Sequence, residues 1–253
     1  MLNPLNAKLE QFATFSGEER RRLDALIAMR HQAYAAKDDI LAEGERVNSI
    51  HVDLSGLAAR YKVLDEGERQ IMGFLIPGDI SDVEVFVLEK MDHGIAAISN
   101  TVCAIIPADT IKGLLTEMSS LTQALWWSTM TDSAVLRERI IDHGRRDAHE
   151  RIAHLFCEML IRDRIVGMAQ DDAIPVPLTQ EELADATGLT PVHVNRTLKQ
   201  LREDGLIELK ARTLRIVDPK GLRKVARFNA NYLHLKKLAR RGEPQAAWLQ
   251  DLV

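Results

Sequence analysis

The sequence predicts an α+β chain: an N-terminal antiparallel β jelly-roll barrel with flanking helices, a long central helix and a C-terminal winged helix-turn-helix. Three observations predict it. Between Tyr34 and Pro107, short apolar or alternating runs are separated by glycines, as in a small antiparallel barrel. From about Ala108 the apolar period becomes helical and stays so to near Gly167. From Leu178 to Val217, two capped helices, a tight turn and a short basic hairpin succeed one another.

Residues 5–30 read as helical, anchored by Leu9, Phe12, Leu23, Leu26 and Ile27, with a break near Ser16-Gly17. In the barrel, Ile50-His51-Val52-Asp53-Leu54 and Ile71-Met72-Gly73-Phe74-Leu75-Ile76 are strand-like, punctuated by Gly44, Gly56, Gly67, Gly73, Gly78 and Gly94. A helix from roughly Thr116 to Asp142 would be about 40 Å long. Leu114, Leu121, Leu125, Val135 and Ile140 could form its stripe, interrupted by Ser128 and Asp132. One small barrel cannot cover such a stripe, so pairing with a symmetry mate in a two-helix seam is expected; the alternative is a helix folded back on its own domain. Gly144 is the expected hinge, followed by a helix over His149–Arg164 and a polar loop to Pro177. The domains predicted are 1–115 for the barrel, 116–145 for the long dimerisation helix and hinge, and 146–253 for the winged helix-turn-helix with a helical extension.

In that last domain Thr179 is an N-cap and Glu182 completes a capping box. Gly188 ends the first helix where positive φ is wanted, Thr190 caps the second, and Pro191 takes its first position. Val194, Leu198 and Leu201 form the apolar face, leaving His193, Asn195, Arg196 and Lys199 outward. Leu206–Leu209 and Leu214–Val217 flank the basic hairpin tip Lys210-Ala211-Arg212-Thr213. A last helical stretch from Asp218-Pro219 to about Arg241 has Leu222, Val225, Leu235 and Leu238 as candidate buried positions.

Net charge is −4, with 46% hydrophobic residues. Residues 176–253 hold 14 Lys/Arg against 9 Asp/Glu, and the first 175 hold 19 against 28, so positive charge gathers on the half with the helix-turn-helix. With neither a long apolar run nor a basic-then-apolar leader, a cytoplasmic protein without membrane contact is expected. Cys103 and Cys157 have no metal-cluster spacing and read as core thiols. Nucleophile elbows, phosphate loops and His-Glu metal motifs are missing, so neither enzyme activity nor a cofactor or metal is expected. His143, His149 and His154 lie close in sequence; His143 and His154 could share a helix face, read as solvated surface.

The order of barrel, long helix and winged helix-turn-helix resembles the Crp/Fnr superfamily of bacterial transcription regulators. The likeness rests on Glu43-Gly44-Glu45, Ile50-His51-Val52, Leu54-Ser55-Gly56 and Arg69-Gln70-Ile71 through Pro77-Gly78-Asp79 in the barrel. In the DNA domain it rests on Leu178 through Ala184, Gly188-Leu189-Thr190 and Val194-Asn195-Arg196. The resemblance implies a homodimer that binds double-stranded DNA at an inverted repeat, with RNA polymerase as a further partner. Members that bind cyclic nucleotides carry a Gly-Glu pair after the Pro-Gly-Asp turn and an Arg-Ser or Arg-Thr pair about ten residues later. Here Ser81-Asp82 and His93-Gly94 stand instead, among Asp82, Glu84, Glu89 and Asp92, with His93 as the only candidate cation. Cyclic AMP is therefore not expected to bind tightly. Ser81, Asp82 and His93 mark the possible effector pocket, and the effector is unknown. The iron–sulfur cysteines of other members are absent. His51, His93 and Met72 are the residues a haem could use. The rival reading is a regulatory module for another small molecule or haem, with DNA binding secondary.

On the second helix, Val192, Asn195, Arg196 and Lys199 share one face. Arg196 matches the family's base-reading arginine and suits guanine O6 and N7, Asn195 suits adenine, and Val192 suits a thymine methyl. His193 is able to donate to a base edge or a phosphate. Thr179, Gln180 and Thr190, near helix N-termini, and Lys199 and Arg212 are the expected phosphate contacts.

Overall fold

The computed structural model describes residues 3–83, 87–169 and 172–235. It divides into two compact units, Met1–Met130 and Thr131–Val253.

In the first unit, α1 (Pro4–Leu9) starts on Asn3, whose side chain accepts from the Leu5 and Asn6 N–H groups, with Pro4 in the first helical position. Ser16 and Glu19 form a capping box on α2 (Gly17–Ile27). The strands are β1 (His31–Tyr34), β2 (Asp39–Leu41), β3 (Ser49–Ser55), β4 (Ala58–Val63), β5 (Arg69–Leu75), β6 (Gly94–Ala97) and β7 (Thr101–Pro107). They form two antiparallel sheets, ordered β1-β7-β3 and β2-β6-β4-β5. Alternation along β3 and β7 sorts their side chains. Ile50, Val52, Ala104 and Ile106 pack on the helices with Leu5, Leu9 and Leu23. Cys103 and Ile105 turn the other way, joining Tyr34, Ile40, Leu75 and Ile95 between the sheets. The same period puts His51 and Asp53 on that inner side.

Gly78, in the Pro77-Gly78-Asp79 turn, has φ +94°, and a Cβ there would lie 2.5 Å from the Pro4 carbonyl oxygen. Past this turn the chain runs along β3. Gly78 N–H donates to Asp53 O at 2.7 Å, Asp53 N–H to Asp79 O at 3.0 Å and Ser81 N–H to His51 O at 2.9 Å.

The chain then forms α3 (Ala108–Glu117) and α4 (Ser119–Arg145), parted by the extended Met118. This corrects the expected stripe. Leu114 belongs to α3, whereas Leu121, Ala124, Leu125, Ser128 and Val135 are buried and Ile140 is 72% exposed. Ser128 thus lies on the covered side of α4 rather than interrupting it. Trp126, Met130, Leu136 and Ile140 are exposed.

Gly144 is not a break: α4 runs through it to Arg145. The chain turns at Arg146-Asp147, where Asp147 and Glu150 form a capping box on α5 (Ala148–Ile165). A glycine near a helix end costs only about 1 kcal/mol, too little to stop a helix whose last turn is held by side chains.

The rest of the second unit comprises β8 (Ala173–Pro175), α6 (Gln180–Thr187), α7 (Pro191–Glu203), β9 (Ile207–Lys210), β10 (Thr213–Ile216) and α8 (Pro219–Ala226). Its sheet is ordered β8-β10-β9. β8 lies in the stretch that reads as polar loop. It is too short to show a period and is defined by pairing Ile174 with Leu214. The expected final helix is also interrupted. Arg227, left-handed at φ +47°, ends α8, and a 3-10 turn follows at Ala230–Leu233. Leu222 and Leu235 are buried; Leu238 and Arg241 lie outside the described residues. Among the described residues, no helix is long and apolar enough to cross a membrane.

Candidate nucleic-acid interface

Each helix of the motif starts on its own cap. Glu182 N–H donates to Thr179 Oγ1 at 3.1 Å and Thr179 N–H to Glu182 Oε2 at 2.7 Å, closing the box on α6. Gly188 ends α6 in the left-handed region at φ +61°, its N–H returning to the Ala184 carbonyl. Thr190 Oγ1 accepts from His193 N–H at 3.3 Å, and Pro191 opens α7. Val194, Thr197, Leu198 and Leu201 are buried beneath α7, which sets its rotation about its own axis. Val192, His193, Asn195, Arg196 and Lys199 therefore face outward, Val192 with 79% of its surface exposed. Thr179, Gln180 and Thr190 are exposed at the two helix starts. Among the described residues, Lys199 meets Glu203 in a long, exposed ion pair of 3.6 Å, which leaves its amine available to another anion.

The hairpin tip is narrower than its sequence suggests. Lys210 pairs with Thr213, leaving Ala211 and Arg212 as a two-residue turn. Both have positive φ, 48° and 63°, a conformation usually left to Asn-Gly. Val176 N–H donates to the Arg212 carbonyl at 2.8 Å and holds this turn from outside. The Arg212 side chain is exposed at the tip.

Arg151 fastens the helix-turn-helix to the end of α4. Its guanidinium donates to the carbonyls of Thr187 at the end of α6, and of Arg146 (2.9 Å) and His143 (3.4 Å) at the end of α4. Nothing in the sequence around Arg151 announces this. His143 and His154 do not share a face, since they sit on different helices, and His154 is fully buried rather than solvated. Burial pushes the His154 imidazole down to about 3, so it is neutral.

The barrel interior holds the other predicted residues. Ser81 and Asp82 are buried, and Ser81 Oγ donates to Asp53 Oδ2 at 3.0 Å. Asp82 is tied to His51 through both its carboxylate oxygens. His93 is turned to Asp92, 2.6 Å from Nδ1, and is not joined to Ser81 or Asp82 by any described bond. Glu84 lies outside the described residues. Two groups here escaped the sequence reading. Arg60 of β4, rather than His93, is a cation beside this segment, and it donates to the Ile80 and Ser81 carbonyls at 3.0 and 3.3 Å. Burial, helped by Asp79, pushes the Asp53 carboxyl up to about 7 against the lowering by Cys103, Ser81 and Arg60. Period-two alternation from Ile50 and Val52 is the signal that could have found Asp53.

Comparison with known proteins agrees with both halves. A Crp-like helix-turn-helix domain model matches residues 150–225 and a cyclic nucleotide-binding domain model matches residues 31–118. The transcriptional activatory protein AadR of Rhodopseudomonas palustris is 26% identical over 193 residues, covering 76% of this chain and 79% of that protein. The nitrogen fixation regulation protein FixK of Bradyrhizobium diazoefficiens is 26% identical over 192 residues, 75% of this chain and 79% of that one. Among solved structures, FixK2 from Bradyrhizobium japonicum superposes with a TM-score of 0.70 at 24% identity, covering 78% of this chain and 96% of that one. With a cyclic-nucleotide-binding-type barrel, a long helix and a Crp-like helix-turn-helix in that order, the chain belongs to the Crp/Fnr superfamily of transcription regulators.

Proposed function

We propose that the protein is a transcription regulator that reads an inverted-repeat operator as a homodimer, without activation by cyclic AMP. The observation that carries the reading is the outward face of α7. Val192, Asn195, Arg196 and Lys199 are exposed on a helix whose cap and buried face hold it in one orientation. Arg196 offers a bidentate fork to guanine, Asn195 a donor and acceptor to adenine, and Val192 a methyl contact to thymine, with His193 beside them. Thr179, Gln180, Thr190, Lys199 and Arg212 supply the phosphate contacts that set register.

Dimerisation uses α4. Trp126, Met130, Ser133, Arg137, Ile140 and Gly144 recur at alternating spacings of four and three, the repeat of a two-helix seam. Trp126 and Ile140 are 70% and 72% exposed. Parallel pairing would set two recognition helices one DNA turn apart, ~34 Å. RNA polymerase is a further partner in this reading.

A cyclic phosphate does not fit the barrel. Asp82 occupies the segment that would receive it, Asp53 of β3 faces that segment through Ser81, and Arg60 is committed to backbone carbonyls. Control then rests on abundance or on an effector of another chemical class.

The test is selection from a random duplex pool, then binding with two variants. Arg196→Ala should cost about 1–3 kcal/mol and relax preference at one base pair. Lys199→Ala should weaken all sequences alike and lower the salt slope by about one. Equal losses on selected and scrambled DNA for both variants would refute the assignment.

A further inference from the structure

The matched helix-turn-helix domain ends at residue 225, yet the chain goes on to supply the side chains that close a buried ionic web. Arg139 of α4 donates to Glu158 of α5 at 2.8 Å and to Asp142 at 3.0 Å. Arg146 reaches Asp142 at 2.7 Å and Glu138 at 3.1 Å, and Arg162 reaches Glu158 at 3.3 Å. Among the described residues, these bonds set three guanidinium groups against three carboxylates. Glu158 is fully buried, and its second oxygen needs a donor of its own. Tyr232, in the 3-10 turn, provides it: its hydroxyl donates to Glu158 Oε2 at 3.0 Å. Burial beside Glu158 raises the phenol well above its ordinary value, so it keeps the proton it donates. Phe228 and Tyr232 also lie against the neutral His154 ring at 5.0 and 5.9 Å. The segment is anchored where it leaves α8, with Arg223 Nε donating to the Phe228 carbonyl and Arg227 paired to Glu150.

We propose that residues 227–235 are a latch that locks the last third of α4 in one direction on α5, the helix against which α7 packs, with Tyr232 as its positioning residue. Because α4 also carries the proposed seam, the latch sets how far apart, and at what angle, two recognition helices are presented. This rests on the dimeric DNA-reading function above. An operator one base pair longer or shorter at its centre moves a half-site by ~3.4 Å and turns it by ~35°. A locked dimer pays for that mismatch in affinity, and a loosened one adapts.

The experiment measures full-length protein on the duplex recovered by selection and on two derivatives with the central spacer changed by one base pair either way. Wild type should bind the altered spacers at least about tenfold more weakly, the scale of one mismatched position. Tyr232→Phe keeps the ring against His154 and removes only the hydroxyl; it should reduce that penalty to about threefold or less. Phe228→Leu should reduce it as well. The penalty is a ratio on one protein sample, so partial unfolding does not change it. A Tyr232→Phe variant that keeps the wild-type ratio, including one that weakens on all three duplexes equally, overturns the latch while leaving DNA reading intact. A wild type indifferent to spacing also overturns it. Recovery of no operator by wild type removes the proposed function and the latch together.

Discussion

Asp82 accepts two hydrogen bonds from His51, one from its backbone N–H and one from Nδ1, each 2.7 Å long, and the carboxylate is fully buried. The residues are 31 positions apart, and their pairing closes the chain after the Pro-Gly-Asp turn onto β3. Removing Asp82 leaves two buried donors without an acceptor. Asp82→Ala should lower barrel stability by about 3 kcal/mol, seen in denaturant unfolding. The wild-type protein should give no calorimetric binding to cyclic AMP, and a micromolar dissociation constant would contradict the exclusion of a cyclic phosphate by these buried carboxylates.

Asp53 should make the barrel more stable in acid. Its folded pKa is about 7, whereas an unfolded aspartate titrates near ~3.9. Between those values the folded carboxyl keeps a proton that the unfolded chain has released, so stability is fully present below ~4 and is lost as pH rises through 7. Asp53→Asn removes this dependence. The stability of wild type minus that of Asp53→Asn should fall by about 1.4 kcal/mol per pH unit in mid-window and level off above it. Parallel pH profiles would rule the assignment out.

At Gly188 the left-handed conformation, not the space around it, limits substitution. A Cβ would approach His143 Nδ1 to 2.9 Å, but that imidazole is exposed and able to swing away. The φ of +61° has no such relief. Gly188→Ala should destabilise the second unit by about 1–2 kcal/mol, measured by thermal unfolding. A neutral result would mean that the turn between α6 and α7 takes another form.

The outward face of α4 predicts its own test. Ile140→Glu places a charge in the C-terminal part of the proposed seam and disturbs nothing beneath the helix, since Ile140 is 72% exposed. Sedimentation should show a dimer for wild type and a monomer for the variant at micromolar concentration, with operator affinity reduced in parallel. An unchanged dimer would place the interface elsewhere.

What could be read from the sequence alone is what short-range physics decides. Thr179 with Glu182, Thr190 with Pro191, and Gly188 each act within one helical turn, so their residue types already state where α6 and α7 begin and end. Period-two and period-3.6 patterns likewise separated barrel from helices. Tertiary structure alone decided the partners that lie far apart in sequence: Asp82 with His51, Arg60 with the Ser81 carbonyl, Arg151 with Thr187, and Tyr232 with Glu158, 74 positions away. Each is a polar group whose place depends on what else is buried beside it, and no local preference encodes that. Gly144 and β8 depart from their local sequence signals for the same reason, one held helical by its surroundings, the other made a strand by pairing with β10.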